Sequence, residues 1–208
     1  MPFRKASGES KTRPGVFRAT LRAAAILLAF ALALGAVAAY SITRRGLSAH
    51  AEPSTIEAML ARAMRSWATP SAVRRAVNPV PPSESVLSDA MAHYADHCAT
   101  CHGNDGSGRT SIGQSLYPKA PDMRAAPTQS LTDGELFSII EHGVRLTGMP
   151  GWGNGSPEGE RDSWSLVHFI RRLPKLSPEE LERMEGMNPK SSEEWRQEEE
   201  ERRFLSGQ

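Results

Sequence analysis

"ADHCATCHGNDGSG", residues Ala95–Gly108, decides how this chain is read. The protein has 208 residues and two cysteines, Cys98 and Cys101, both inside this stretch. They lie three apart, His102 follows the second directly, and glycine recurs at 103, 106 and 108. A segment spending every thiol of the chain in one helical turn must use them together.

Cys-x-x-Cys-His is the attachment pattern of a c-type haem. Two thiols on one turn reach the two vinyl groups along one edge of a porphyrin. The next residue then lies under the ring centre, where an imidazole nitrogen can bind iron. A disulfide would leave His102 and the glycines without a purpose. A thioredoxin-like redox pair needs a βαβ setting, and no strand pattern is present. A structural zinc site needs four ligands, usually from a second Cys/His pair.

Working outward, Ser85–Cys101 carries Val86, Leu87, Ala90, Met91 and Tyr94 at helical spacing. Residues 103–127 are dense in Gly, Pro, Asp and Ser and read as loop. Thr132-Asp-Gly-Glu135 is a capping box opening a helix that Gly143 ends. Residues 147–159 form a second glycine-rich loop, and Glu160–Leu173 is the last core helix, stopped by Pro174. Long loops in so small a domain require something to order them. The expectation is an all-α fold of three core helices and long loops wrapped around a haem.

A carrier closes its iron with a second axial ligand. The candidates are Met123, Met149, Met184, Met187, His142 and His168. Met149 lies in "TGMPGW", a tight loop able to present a thioether without neighbouring helical side chains in the way. Met123 is too near the attachment site in sequence, and Met184 and Met187 fall in a charged tail. His142 reads as a surface or capping residue, and His168 as a residue inside the last helix.

"HYADHCATCHGNDGSG", "YPKAPDM", "LTDGELFSIIEHGVRLTGMPGW" and "WSLVHFIRRLP" resemble class I cytochromes c, in particular small bacterial membrane-anchored monohaem c-type cytochromes. The resemblance covers about residues 85–175. It implies one covalent haem, with Cys98 and Cys101 as attachment sites and His102 and Met149 as axial ligands. It also implies that a proline carbonyl, at Pro118 or Pro121, accepts the His102 Nδ1–H. Arg109, Arg124 and Arg145 are candidates for the haem propionates, and Trp152 and Trp164 either border the haem or fill the core.

Ala23–Thr43, 21 residues, carries no charge. As a helix it is about 31 Å long, enough for a hydrocarbon core of about 30 Å. Six basic residues and one glutamate precede it, and Arg44 and Arg45 follow. The positive-inside rule puts the N-terminus in the cytoplasm and the remainder across the membrane. A cleaved signal peptide, with "AVA" or "AHA" as its cleavage site, is the competing reading and leaves a soluble periplasmic protein. Both export the haem domain.

The expected organisation is a basic cytoplasmic segment (1–22), a transmembrane anchor (23–43), a periplasmic helix and Pro-rich linker (44–84), the haem domain (85–176) and an acidic helical or disordered tail (177–208). From Glu179 to Arg203, ten glutamates face five basic residues. The net charge of +1, with no basic stripe, excludes a nucleic-acid partner. The expected function is electron transfer at the bacterial inner membrane, with redox proteins of a respiratory or dehydrogenase chain as partners and no bond chemistry of its own. A haem enzyme or gas sensor with an open sixth position is the alternative.

Overall fold

The computed structural model describes residues 14–46 and 48–206. Most of the expected basic N-terminal segment lies outside the described residues. The chain divides into two compact units, Met1–Ser48 and Ala49–Gln208.

The first unit holds α1, Pro14–Arg45. Within it, Phe17–Arg44 is long and apolar enough to cross a membrane. Its hydroxyls are hidden in the helix itself. Thr20, Ser41 and Thr43 donate to the carbonyls of Phe17, Val37 and Tyr40 at 2.8–2.9 Å, so none needs an outside partner.

The second unit is helical, with no strand among the described residues. Its elements are α2 (Thr55–Ala68), α3 (Ser71–Arg74), α4 (Glu84–His93), a π-turn (Tyr94–Cys98), α5 (Ala99–His102), α6 (Ser111–Ser115), α7 (Ala126–Gln129), α8 (Asp133–His142), α9 (Pro157–Arg172), α10 (Pro178–Glu185) and α11 (Ser192–Ser206). The expected capping box at α8 is complete: Glu135 N–H donates to Thr132 Oγ1 and Thr132 N–H to Glu135 Oε2. Helix α9 starts at Pro157, three residues before the expected Glu160. Ser156 caps it by accepting from Gly159 N–H at 3.0 Å, and Pro157 occupies the first turn, where its missing N–H costs nothing. The loop expected over 103–127 contains the short α6, capped by Thr110, and the start of α7.

The core lies where α4 and its continuation cross α9, with α8 against the other side of α9. Tyr94 packs on Phe169, ring centroids 5.0 Å apart, and Phe137 stacks on Trp164 at 4.1 Å. Burying side chains this large contributes about 1.5–3 kcal/mol each.

Two expected boundaries change. Residues 78–83, read as linker, are packed onto α9. Val80 is buried, Asn78 Nδ2 donates to the Trp164 carbonyl at 2.9 Å, and His168 Nε2 donates to the Val80 carbonyl at 2.7 Å. Prolines forbid a helix here, yet leave carbonyls free to accept from one. The acidic tail is also divided. Helix α10 is capped by Ser177 and Glu180 and buries Met184 completely, so it belongs to the core. Helix α11 is almost wholly exposed along its described side chains.

Candidate functional site

Helix α4 does not run straight into the cysteines. It widens into the π-turn at Tyr94–Cys98 and tightens again as α5, which carries Cys101 and His102. Such a turn re-aims the following side chains and is common at functional sites. Tyr94 is buried there and donates its hydroxyl to the Gly103 carbonyl at 3.1 Å. Burial pushes the Tyr94 phenol well above its ordinary pKa.

Cys98 and Cys101 are both half-buried, and neither is in a disulfide. Burial, reinforced by Cys101, pushes the Cys98 thiol up to about 12. A redox-active pair needs the opposite shift, because the thiolate is its nucleophile. The structure therefore disfavours thioredoxin-like chemistry on its own terms.

His102 is buried. Burial lowers its pKa, and the Pro121 carbonyl pulls it partly back. The net shift keeps the imidazole neutral near pH 7, the form that binds metal. Nδ1 is buried and makes no hydrogen bond of ordinary geometry. Pro121, one of the two prolines expected beside it, supplies the neighbouring acceptor. The glycine run explains how. Gly108 N–H donates to the His102 carbonyl at 2.7 Å, with Gly108 at φ +71°. A Cβ on Gly108 would stand 2.3 Å from the Ala120 carbonyl oxygen and 3.0 Å from that of Pro121. Only a glycine lets the 120–121 segment close over the histidine.

Met149 arrives from a braced loop. Gly143 ends α8 at φ +65°, and the chain folds straight back on it. Val144 N–H donates to the Met149 carbonyl at 3.1 Å, Trp152 N–H to Ile140 at 2.9 Å and Gly153 N–H to Glu141 at 3.0 Å. Inside the loop, Thr147 Oγ1 donates to the Val144 carbonyl at 2.7 Å and accepts from Met149 N–H at 3.1 Å.

One cavity, partly open to solvent, brings these parts together. Tyr94, Cys98 and His102 line it from the attachment segment, Ile140 from α8, and Leu166 and Ile170 from α9. Met123, Met149 and Trp152 line it from the loops. Of the expected residues, Cys98, His102 and Met149 meet in this cavity; Cys101 stays half-buried on the adjoining turn and is outside its lining. Trp152 borders the cavity, whereas Trp164 fills the core against Phe137.

The other candidates are placed elsewhere, with one exception. Met184 is sealed in the core, His142 is exposed on α8, and His168 is bonded to Val80. Arg124 pairs with Asp122 at 2.8 Å and with Asp105 at 3.1 Å. Arg109 and Arg145 are exposed. The exception is Met123, buried and lining the same cavity. Nearness in sequence to the attachment site argued against it, but the turn through Pro121 brings it back.

The donor set fits a haem. One free thiol, a buried neutral imidazole and a thioether share an apolar cleft, a second free thiol lies on the adjoining turn, and no group of three or more His, Cys, Asp or Glu able to hold a bare metal ion occurs among the described residues.

Residues 85–170 match the family model described as cytochrome C oxidase, cbb3-type, subunit III. The match covers under half of the chain and holds the whole cavity lining. No curated protein matches the sequence.

Proposed function

We propose that residues 85–170, a class I c-type cytochrome domain, serve in this chain as a membrane-tethered single-electron relay on the periplasmic face of the bacterial inner membrane. One haem is held covalently by Cys98 and Cys101, with His102 and Met149 on its iron. The haem supplies a one-electron iron couple when bound. The chain's own residues do the rest. His102 is held neutral by burial and oriented from Pro121. Met149 offers a soft thioether, which favours Fe(II) and raises the potential. Tyr94, Ile140, Leu166 and Ile170 exclude water. With both faces of the iron taken, no site remains for a substrate, which favours a carrier over the open-iron enzyme or sensor.

The observation that carries this reading is the cavity shared by Cys98, His102 and Met149. The Phe17–Arg44 helix supports a tether, and the excess of basic residues before it supports a periplasmic haem domain. Tethering confines the domain near membrane-bound donors and acceptors and raises their effective concentration. The family description supports a respiratory oxidase or a related complex as the partner class.

Met149→Ala tests the ligand directly. The variant is expected to lose low-spin character in both oxidation states and to fall in potential. Met123→Ala is expected to retain both. The reverse pattern would assign the sulfur ligand to Met123, which lines the same cavity.

A further inference from the structure

Helix α2 leaves its large apolar side chains uncovered within the second unit. Ile56, Met59, Leu60, Met64 and Trp67 are all exposed, Met64 at 68 % and Trp67 at 89 %. At about 100° per residue they cover one face of the helix, with Glu57 at its edge beside Met64 and with Arg62 and Arg65 on the other side. The helix is well made: Ser54 caps it by accepting from Glu57 N–H at 3.2 Å. It is also fixed to its unit through its polar side and its end. Tyr117 donates its hydroxyl to Glu57, and Arg74 Nη2 donates to the carbonyls of Ser66 and Thr69.

We infer that α2 lies in a phospholipid surface, its apolar face in the headgroup region and its polar face outward, and so sets how the haem domain stands on the membrane. The inference rests on the tethered reading above. Nine residues, 46–54, separate α1 from α2, and even fully extended they span only about 30 Å. A helix held that close to a bilayer, with an apolar face, a basic opposite face and a tryptophan, has the composition of an interfacial helix. A second copy of the chain is the weaker occupant. Fourteen residues give a face of about 21 Å by 10 Å, roughly 200 Å². A stable interface needs about 800 Å² from each partner.

Hydroxyl-radical footprinting of the full haem-loaded chain tests this, in vesicles of phosphatidylethanolamine and phosphatidylglycerol. Oxidation of Met59, Met64 and Trp67 is read by mass spectrometry against Trp195, which is 55 % exposed on α11. The expected result is that all three are oxidised less than Trp195, although Met64 and Trp67 are more exposed in the protein alone. Leu60→Glu combined with Met64→Glu should restore oxidation of Met59 and Trp67 with the haem spectrum unchanged. Oxidation of Trp67 at or above that of Trp195 overturns the inference. Protection that fades as the protein is diluted in excess lipid also overturns it, in favour of self-association. An alkaline carbonate wash separates the two readings. Protein that stays in the vesicles with Trp67 unprotected keeps the tether and loses the interfacial helix. Protein released by the wash but protected before it keeps the helix and loses the tether.

Discussion

Gly143→Ala should open the iron from a distance. Gly143 has φ +65° and ψ −166°, a region essentially restricted to glycine, so an alanine there stores about 1–3 kcal/mol of backbone strain. Its new Cβ would also stand 2.5 Å from the Pro150 carbonyl carbon and 2.6 Å from Gly151 N and from the Met149 carbonyl oxygen. All three are backbone atoms and cannot swing aside. Restoring ordinary contact near 3.5 Å needs the Met149 loop to move by about 1 Å. That displacement breaks the Val144–Met149 hydrogen bond and withdraws the thioether. Gly155→Ala is the matched control, because Gly155 has φ +74° but nothing within 4 Å of its Cβ position. It suffers strain without collision. For a unit of this size each kcal/mol shifts Tm by about 2–4 °C. Both variants should therefore melt a few degrees early. Only Gly143→Ala should gain rapid CO binding in the reduced state and a high-spin component in the oxidised spectrum. If the two variants melt together and neither binds CO, the loop is not braced against the end of α8, and the account of how Met149 is presented fails.

Met184→Ala should cost about 2–5 kcal/mol in thermal unfolding while leaving the haem spectrum unchanged, since the side chain is sealed beneath α10 and outside the cavity lining. Removing residues 177–208 should destabilise the protein, whereas removing 191–208 should leave Tm unchanged, because α11 is almost wholly exposed. Arg171→Leu should cost about 1–3 kcal/mol by denaturant unfolding, because it strands the Gln129 and Leu131 carbonyls and frees Asp133. His93 is held below its ordinary value of 6.5, first by burial and then by His97, with Asp162 and Asp96 opposing. It is neutral when folded, so its contribution to stability is present above pH 6.5 and is lost as pH falls through the lower folded pKa. His93→Gln should flatten that limb of the Tm–pH profile, and an unchanged limb would refute the assignment.

The site was largely readable because its chemistry is local. Cys98, Cys101 and His102 sit in one turn, and Met149 advertises itself by the Gly and Pro around it. The capping box of α8 needs only four consecutive residues. Val80 and Met184 were invisible for the opposite reason. Val80 stands among prolines with no period to betray it, and Met184 keeps helical spacing with Leu181 and Met187 but within a run of charges; the burial of each depends on distant partners. Val80 is tied to His168, 88 residues later. Met123 was set aside because it is near the attachment site in sequence, yet the turn at Pro121 brings it into the cavity. Helix α9 was read late although Ser156-Pro157 is the same kind of start that opens α10 at Ser177-Pro178.

An electron carrier must hold both iron ligands in nearly the same place in both oxidation states, because every displacement adds to the barrier of transfer. On the proposed reading, this chain meets that demand with two separately braced rims. The His102 rim is closed by the Gly108 hydrogen bond and the 120–121 segment, and the Met149 rim by five hydrogen bonds around the end of α8 and within its own loop. Ile140, Leu166 and Ile170, from helices already packed on one another, form the wall between them. Neither rim depends on the other for its shape, so a change of charge at the centre has little soft structure to deform. On the proposed reading the two thiols fasten a cofactor into a cleft whose two sides are already in position.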